Sequence, residues 1–270
     1  MTELILVTGG TGTLGRQVVR LLAADGHEVR VLSRRVRPDA QGQPDQGHID
    51  WAVGDLRKGS GVGAAVAGAT AIVHCATGFG DVRSAVNLIE EARLERPHLV
   101  YISIVGVDRI PVGYYKSKLE AERRIEASGL PWTIIRATQF HELILRGCEA
   151  LAHLPALPVP AGISFQPIDA AEVAERLAGL APGPAARRVP DMGGPQVREA
   201  GDLARAYLRA RGRRRAVLPL TLPGKAFAGY RRGGHLARDN AVGRITFDQF
   251  LAERFPSDQA DQADRVDSSD

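Results

Sequence analysis

The stretch that decides the fold is "VTGGTGTLG" at residues 7–15, which leads directly into the helix-like "RQVVRLLAADG" (16–26). Glycine at 9 permits a tight turn, glycine at 12 lets the backbone approach a pyrophosphate, and glycine at 15 allows close packing of helix against strand. The N–H groups at the helix start then face the anion. The stretch predicts a dinucleotide-binding loop with contacts from Gly9, Thr11, Gly12, Thr13, Leu14 and Gly15.

Strand-like runs alternate with helix-period segments over the first 140 residues. The runs are "LILVT" (4–8), "EVRVLS" (28–33), "DWAVGD" (50–55), "TAIVHCA" (70–76), "HLVYIS" (98–103) and "WTIIRA" (132–137). Helical segments such as "SAVNLIEEARLER" (84–96) lie between them. This alternation predicts an α/β fold, a Rossmann-type doubly wound parallel sheet with helices on both faces.

The alternation changes at about residue 151, with a proline-rich loop "LPALPVPAG" (154–162), a strand-like "SFQPID" (164–169) and the helical "AAEVAERLAGLA" (170–181). We therefore expect a dinucleotide-binding domain at 1–150 and a smaller C-terminal α+β region at 151–256, packed on it and binding the substrate. Residues 257–270 are acidic and lack apolar anchors. They are predicted to be a disordered tail.

The composition of the 270 residues, 44% hydrophobic and 24% charged, is typical of a globular protein with a sizeable core. Neither a secretory leader nor an apolar run of about 18 to 20 residues is apparent, so we expect a cytoplasmic protein with no membrane segment. Cys75 and Cys148 lie far apart and outside any metal-ligand spacing. The sequence thus favours neither a disulfide framework nor a metal site.

The net charge of +4 comes from arginine, which clusters in "SRRVR" (33–37) and "RGRRR" (211–215). Such clusters suit phosphate or nucleic acid. The second cluster has no interleaved aromatic residue and no accompanying motif, and solvated surface explains it. We expect a small-molecule substrate and no nucleic-acid partner; the sequence leaves the oligomeric state open.

The end of the second predicted strand selects between dinucleotides. An acidic residue there binds the ribose 2′-hydroxyl of NAD, whereas a basic residue accommodates the 2′-phosphate of NADP. The chain has Ser33, Arg34 and Arg35 there, with no carboxylate until Asp39. This predicts NADP(H) in preference to NAD(H), with Arg34 on the phosphate. The alternative is that these arginines only cap an exposed strand end.

Several segments together carry a family resemblance. They are "VTGGTGTLG", "LSRR" (32–35), "GDL" (54–56), "VHCAT" (73–77), "LVYISIVGVD" (99–108), "YYKSKLEAE" (114–122), "LPWTIIRATQF" (130–140) and "FQPIDAAEVAE" (165–175). The chain resembles the atypical and extended short-chain dehydrogenase/reductases, most closely the NmrA-like NAD(P)-binding group. The resemblance implies Asp55 and Leu56 at the adenine ring and Ala76 and Thr77 beside the ribose. Asp55 could equally act as a helix N-cap.

The signature YxxxK of this superfamily is met only by Tyr114 with Lys118. At 100° per residue, Lys118 shares a helix face with Ala121 and Ile125, whereas Lys116 lies opposite. A lysine on an inward face needs a partner or a task. An ammonium beside a phenol stabilises the phenolate, lowering a tyrosine pKa from its reference value of about 10. The resemblance also implies that Lys118 bonds the nicotinamide ribose.

The third catalytic hydroxyl of this superfamily comes at the end of the fifth strand. Ser103 is the candidate, but Ile104 and Val105 follow it, and a structural strand-end serine is the alternative. After the sixth strand, Gln139, Phe140 and His141 are predicted to line the substrate pocket.

These residues support an NADPH-dependent oxidoreductase that reduces a carbonyl, enone or quinone, with Tyr114 as acid. Apolar segments such as "LPLTLPGKAFAGY" (218–230) favour a small apolar substrate. The uncertain serine leaves open a non-catalytic NADP(H)-sensing or regulatory protein. A nucleotide-sugar epimerase or dehydratase is a weaker alternative, because the C-terminal region is short for a nucleotide-sugar domain.

Overall fold

The computed structural model describes residues 3–35, 49–76, 78 and 80–256. Contacts divide the chain into one unit of Met1–Ala137 with Ala170–Asp191 and a second unit of Thr138–Asp169 with Met192–Asp270. This division differs from the predicted boundary at 150/151. Residues 138–150 belong to the second unit, and residues 170–191 add a helix and a strand to the first. The predicted tail at 257–270 lies outside the described residues.

The elements are numbered in chain order. The strands are β1 (Leu4–Thr8), β2 (Glu28–Ser33), β3 (Ile49–Val53), β4 (Ala71–His74), β5 (His98–Ile104), β6 (Trp132–Ala137), β7 (Ala156–Pro160), β8 (Ser164–Phe165), β9 (Arg187–Arg188), β10 (Arg198–Glu199) and β11 (Ala216–Leu220). The helices are α1 (Thr13–Ala24), α2 (Val62–Val66), α3 (Asp81–Glu91), α4 (Gly113–Glu126), α5 (His141–Leu151), α6 (Ala170–Leu180), α7 (Ala200–Ala210), α8 (Lys225–Arg231) and α9 (Phe247–Arg254).

The first unit is built on a seven-stranded sheet of order β3-β2-β1-β4-β5-β6-β9. Every neighbouring pair in it is parallel. The predicted doubly wound parallel sheet is therefore confirmed. The strand order reverses between β1 and β4, and in such sheets ligands bind at this reversal, outside the carboxyl ends of the strands.

Helices cover both faces of this sheet. On one face α2, α3 and α4 pack on alternate strand residues such as Leu6, Ile72 and Tyr101. On the other face α1 packs against α6, whose Val173 and Leu177 are buried. Strands buried on both faces read as continuous apolar runs, which explains the composition of β1 and β4.

The second unit combines short strand pairs with helices. Strand β11 pairs with β7 in parallel, and β10 pairs with β8 in antiparallel orientation. Its core contains Leu145, Leu157, Leu203, Tyr207 and Phe247. Strand β8 is shorter than the predicted "SFQPID". Among the helices of the described ranges, none has the length and apolar character that crossing a membrane demands.

Candidate functional site

The turn between β1 and α1 accepts only glycine at two of its positions. Gly9 has a φ of +71°, and a Cβ there would lie 2.7 Å from the Ala76 nitrogen. A Cβ on Gly15 would lie 2.2 Å from the Gly9 oxygen. The turn is therefore held tightly against Ala76, two residues after β4, and against its own helix.

The N-terminus of α1 is prepared for an anion. Gly12 is the N-cap residue and supplies no side chain to the first turn, which also contains no acidic residue. Thr11 and Gly12 are exposed. Within the described part of the chain, no side chain caps the start of this helix, which is the positive end of its dipole. These residues fit the pyrophosphate of a dinucleotide.

The predicted 2′-phosphate residues lie at the end of β2, the neighbour of β1. Arg34 and Arg35 are exposed, and the Arg35 N–H donates to Ser33 Oγ at 3.2 Å. Residues 33–35, with which this described segment ends, contain no carboxylate. The positions are compatible with a phosphate contact, which stays a prediction.

The predicted adenine residues lie just after β3. Asp55 Oδ1 accepts the Arg57 N–H at 2.8 Å, so this carboxylate stabilises a local turn. Leu56 packs against the core beneath α2 and α3. Ala76 is in contact range of Gly9, as described above, whereas Thr77 lies outside the described residues. The adenine and ribose contacts stay predictions.

Lys118 is buried against the sheet at the carboxyl ends of β4 and β5. Its Nζ donates to the Ile102 carbonyl at 3.0 Å, lies 3.6 Å from Asp81 Oδ2 and stands 4.5 Å from the centre of the Tyr101 ring. Burial lowers the pKa of Lys118, and the Asp81 carboxylate acts in the opposite direction. Ala121 and Ile125 are buried with it, so the predicted inward face is confirmed.

The two tyrosines of α4 differ in burial. Tyr114 is half-buried in the first turn, whereas Tyr115 is only 6% exposed. Their ring centres are 6.5 Å apart. Burial raises the pKa of Tyr101 well above its usual value, and Asp81 and Tyr114 add to this rise. Tyr114 is thus close enough to influence the pKa of Tyr101, the tyrosine whose ring contacts the Lys118 ammonium.

Ser103 lies beside a second ion group, whose central Glu122 is one turn after Lys118 on α4. We name it the Glu122 cluster: the buried Glu122 and Arg136 with the more exposed Arg188, Asp108 and Glu126. Arg136 contacts Glu122 at 2.7 Å and Asp108 at 3.1 Å. Arg188 contacts Glu122 at 2.8 Å and Glu126 at 3.1 Å.

Ser103 is buried on β5 and pairs with Arg136 in the register of β5 with β6. Burial raises the pKa of Glu122, but Arg136 and Arg188, together with the nearby Ser103 hydroxyl, hold it below its usual range. The serine thus faces the Glu122 cluster, and its catalytic role stays a prediction.

His74, at the end of β4, places an uncharged imidazole beside Tyr101. Its Nδ1 is 2.6 Å from Thr8 Oγ1 and its ring stacks on Tyr101 at 5.3 Å. Burial, assisted by the Lys118 charge, lowers the pKa of His74 to about 3. The imidazole therefore remains uncharged at physiological pH.

The predicted substrate residues belong to the second unit. Gln139 is buried, and neither atom of its amide has a hydrogen-bond partner among the described residues. Phe140 is half-buried at the N-cap of α5. His141 is fully buried, with Nε2 3.0 Å from the Ile245 oxygen and its ring stacked on Phe250. Its contacts stabilise this unit, and substrate contact by the three residues stays a prediction.

Sequence reasoning did not identify Asp81 or Glu122. Glu122 lies four residues after Lys118 on the same side of α4, so helical spacing would have found it. Asp81 is the first residue of α3, where a carboxylate is ordinarily read as a favourable helix-terminal charge. Only the folded sheet reveals its pairing with Lys118.

The strand reversal, the glycine turn and the uncapped helix start define a dinucleotide-binding α/β protein. The chain belongs to the family described as NAD(P)H-binding, which matches residues 9–147. The predicted resemblance is thereby confirmed at the level of an NAD(P)H-binding family.

Two curated relatives differ in their described roles. The chain is 28% identical to an NAD(P)H azoreductase of Xenophilus azovorans over 81% of the chain and 78% of the relative. It is 27% identical to the photosystem II assembly factor Ycf39 of Trieres chinensis over 63% of the chain. The matched part spans only 57% of that relative.

The fold also occurs in solved structures. The NADPH-dependent quinone oxidoreductase QOR2 of Escherichia coli, complexed with NADPH, superposes with a TM-score of 0.76 at 19% identity. The match covers 93% of the chain and 99% of QOR2. At this identity the likeness establishes the fold.

Proposed function

We propose that this protein is an NADPH-dependent oxidoreductase that reduces a carbonyl, enone or quinone in a small apolar substrate. The observation that carries the proposal is the buried Lys118 ammonium at the carboxyl ends of β4 and β5, one helical turn from Tyr114. The similarities to an azoreductase and to a quinone oxidoreductase fold support the same reaction class.

Each residue has a defined task in this proposal. The Gly9 turn and the start of α1 bind the pyrophosphate through backbone N–H groups. When bound, the nicotinamide supplies the hydride. Tyr114 donates a proton to the oxygen that becomes negative, and Lys118 stabilises the phenolate that remains. Lys118 retains N–H donors beyond the one bonded to Ile102, which suits the ribose hydroxyls.

The experiment is a turnover screen with NADPH across ketones, enones and quinones. Tyr114→Phe is expected to lower kcat about 10²- to 10⁴-fold, because it removes the general acid and leaves binding intact. Tyr115→Phe is the matched control, since it removes the neighbouring phenol. Retained turnover of every accepted substrate in Tyr114→Phe would contradict the assignment.

The preference for NADP(H) over NAD(H) forms part of the proposal. Arg34→Ala is expected to weaken NADPH about 10- to 100-fold, the effect of one or two lost charge-assisted hydrogen bonds, and to leave NADH unchanged. Arg20→Ala, an exposed arginine on α1, is the control. Fluorescence titration with both cofactors measures the difference. If Arg34→Ala weakened the binding of NADH and NADPH equally, the assignment of Arg34 to the 2′-phosphate would be wrong.

A non-catalytic NADP(H)-sensing protein is the second candidate. The position of Ser103 favours it, because this serine faces the Glu122 cluster and aliphatic residues follow it on the chain. Similarity to the assembly factor Ycf39 is consistent with such a role. A sensor must bind NADPH and NADP⁺ with different affinities and turn over none of the screened substrates. Equal affinities for the two forms would exclude sensing.

A further inference from the structure

Asp81 occupies an unusual place for a carboxylate. It is 3% exposed, its Oδ1 accepts the Gly78 N–H at 2.7 Å, and its Oδ2 points toward Lys118. Among the described residues, Oδ2 has no hydrogen-bond partner. The 3.6 Å separation from Lys118 Nζ is that of an ion pair and exceeds a hydrogen bond.

The pair is costly to bury and is not optimised for stability. Removing two charges from water is compensated only by close geometry and by further hydrogen bonds. Here the separation is long, and Oδ2 lacks a second donor among the described residues. An apolar pair of similar volume would serve packing as well. The arrangement therefore points to a task for the Lys118 charge.

We propose that Asp81 is a positioning residue that holds the Lys118 side chain at the carboxyl ends of β4 and β5 and keeps it charged. Its own orientation is fixed by the Gly78 N–H, so the carboxylate acts as a rigid anchor on α3. The consequence for turnover rests on the proposed reductase function, whereas the consequence for the charge of Lys118 does not.

The surroundings of Lys118 leave Asp81 as its principal anion. Tyr101 of β5 contributes a ring face, and burial raises the pKa of its hydroxyl, so it stays neutral. His74 and Cys75 at the end of β4 are also neutral, since burial lowers the pKa of His74 to about 3 and raises that of Cys75 to about 12. On α4 itself, Glu122 is engaged by Arg136 and Arg188, and Tyr114 lies one turn earlier.

The pKa directions agree with this geometry. Burial lowers the pKa of Lys118, and Asp81 is the largest influence that raises it. Burial raises the pKa of Asp81, and Lys118 counters that rise. Removing the carboxylate leaves the ammonium with its desolvation uncompensated, so the lysine should lose its proton at lower pH.

Lysine occurs at only four positions, 58, 116, 118 and 225, so NMR of lysine labelled with ¹³C at Cε can follow each ammonium. Lys118→Met assigns the resonance. In Asp81→Asn, which keeps an oxygen for the Gly78 N–H, the pKa of Lys118 is expected to fall by about one unit or more. Glu90→Gln removes an exposed carboxylate from the same helix and should leave the titration unchanged.

If Asp81→Asn does not fold, Asp81→Ser replaces it, because a hydroxyl can accept the same N–H without a charge. A Lys118 titration that is identical in wild type and in the folded Asp81 variant would overturn the proposal.

The kinetic arm tests the positioning role. The basic limb of the kcat–pH profile should move to lower pH in Asp81→Asn, with little change in KM for NADPH at pH 6. A shifted Lys118 pKa in a protein without turnover would support the anchor and refute the reductase. Turnover with an unshifted profile in Asp81→Asn would refute the anchor and leave the reductase standing.

Discussion

Two ion groups, one around the buried Lys118 and one around the buried Glu122, lie one turn apart on α4, and they are built differently. In the Glu122 cluster, contacts of 2.7 to 3.1 Å join two carboxylates to Arg136 and two to Arg188. At Lys118, one carboxylate stands 3.6 Å away and one carbonyl accepts a hydrogen bond. Closely paired charges stabilise one arrangement of β5, β6 and α4. The more loosely paired Lys118 ammonium keeps N–H donors that a ligand can use, as a binding site requires.

The largest stability effect is expected from breaking the tighter group. Glu122→Gln leaves the buried Arg136 with the half-exposed Asp108 as its remaining partner. The free energy of unfolding should fall by about 3 kcal/mol, as for other buried ion pairs that lose one member. Urea unfolding measures this loss, and NADPH affinity is expected to persist. A loss of affinity with unchanged stability would reverse the roles assigned to the two groups.

Acid should weaken the same group. The pKa of Glu122 is held below its usual value, so its contribution to stability is complete above the unfolded value of about 4.5 and is lost as pH falls through the folded value. The stabilities of wild type and Glu122→Gln should therefore converge as the pH falls below about 4.5. Parallel pH curves for the two proteins would contradict this.

Removing the lysine should destabilise the protein less than removing Glu122. In Lys118→Met, burial favours the neutral form of the remaining Asp81, so the loss is expected to be about 1 to 2 kcal/mol at pH 7. The pKa of Asp81 is already raised by burial. Because a raised carboxyl pKa favours the folded state at low pH, the loss should shrink as the pH falls. Denaturant unfolding at pH 5 and pH 8 tests the sign.

The smallest effect belongs to an exposed pair on the same helix. Glu120 lies 2.8 Å from Arg124, but both side chains are solvated. Glu120→Gln should change the free energy of unfolding by only about 0.3 to 0.5 kcal/mol, and this change should vanish in high salt. A loss of stability comparable to that of Glu122→Gln would mean that burial does not determine how much each ion pair contributes to the free energy of unfolding.

Local signals predicted the elements well, because strand periodicity and glycine spacing depend on neighbouring residues. Strands β1, β2 and β6 have the predicted bounds, and the glycine turn has the predicted backbone. The membership of α6 was not predictable in this way. Its sequence forms a helix in either unit, and its packing, chiefly against α1, assigns it to the first unit.

The candidate site was predictable only in part, for the same reason. Lys118 could be assigned an inward face from α4 alone, whereas its partner Asp81 is 37 residues earlier in the sequence and meets it only when β4 and β5 pair. Ser103 could be assigned to a strand end. The cluster it faces arises from the register of β5 against β6, which local sequence does not specify.

The neutral His74 has a consequence for enzyme kinetics. An inflection near pH 6 to 7 in a rate profile is customarily attributed to histidine. With a pKa of about 3, His74 cannot produce one, although it is the histidine stacked on the Tyr101 ring. A neutral-range inflection in kcat would therefore have to come from a group other than His74.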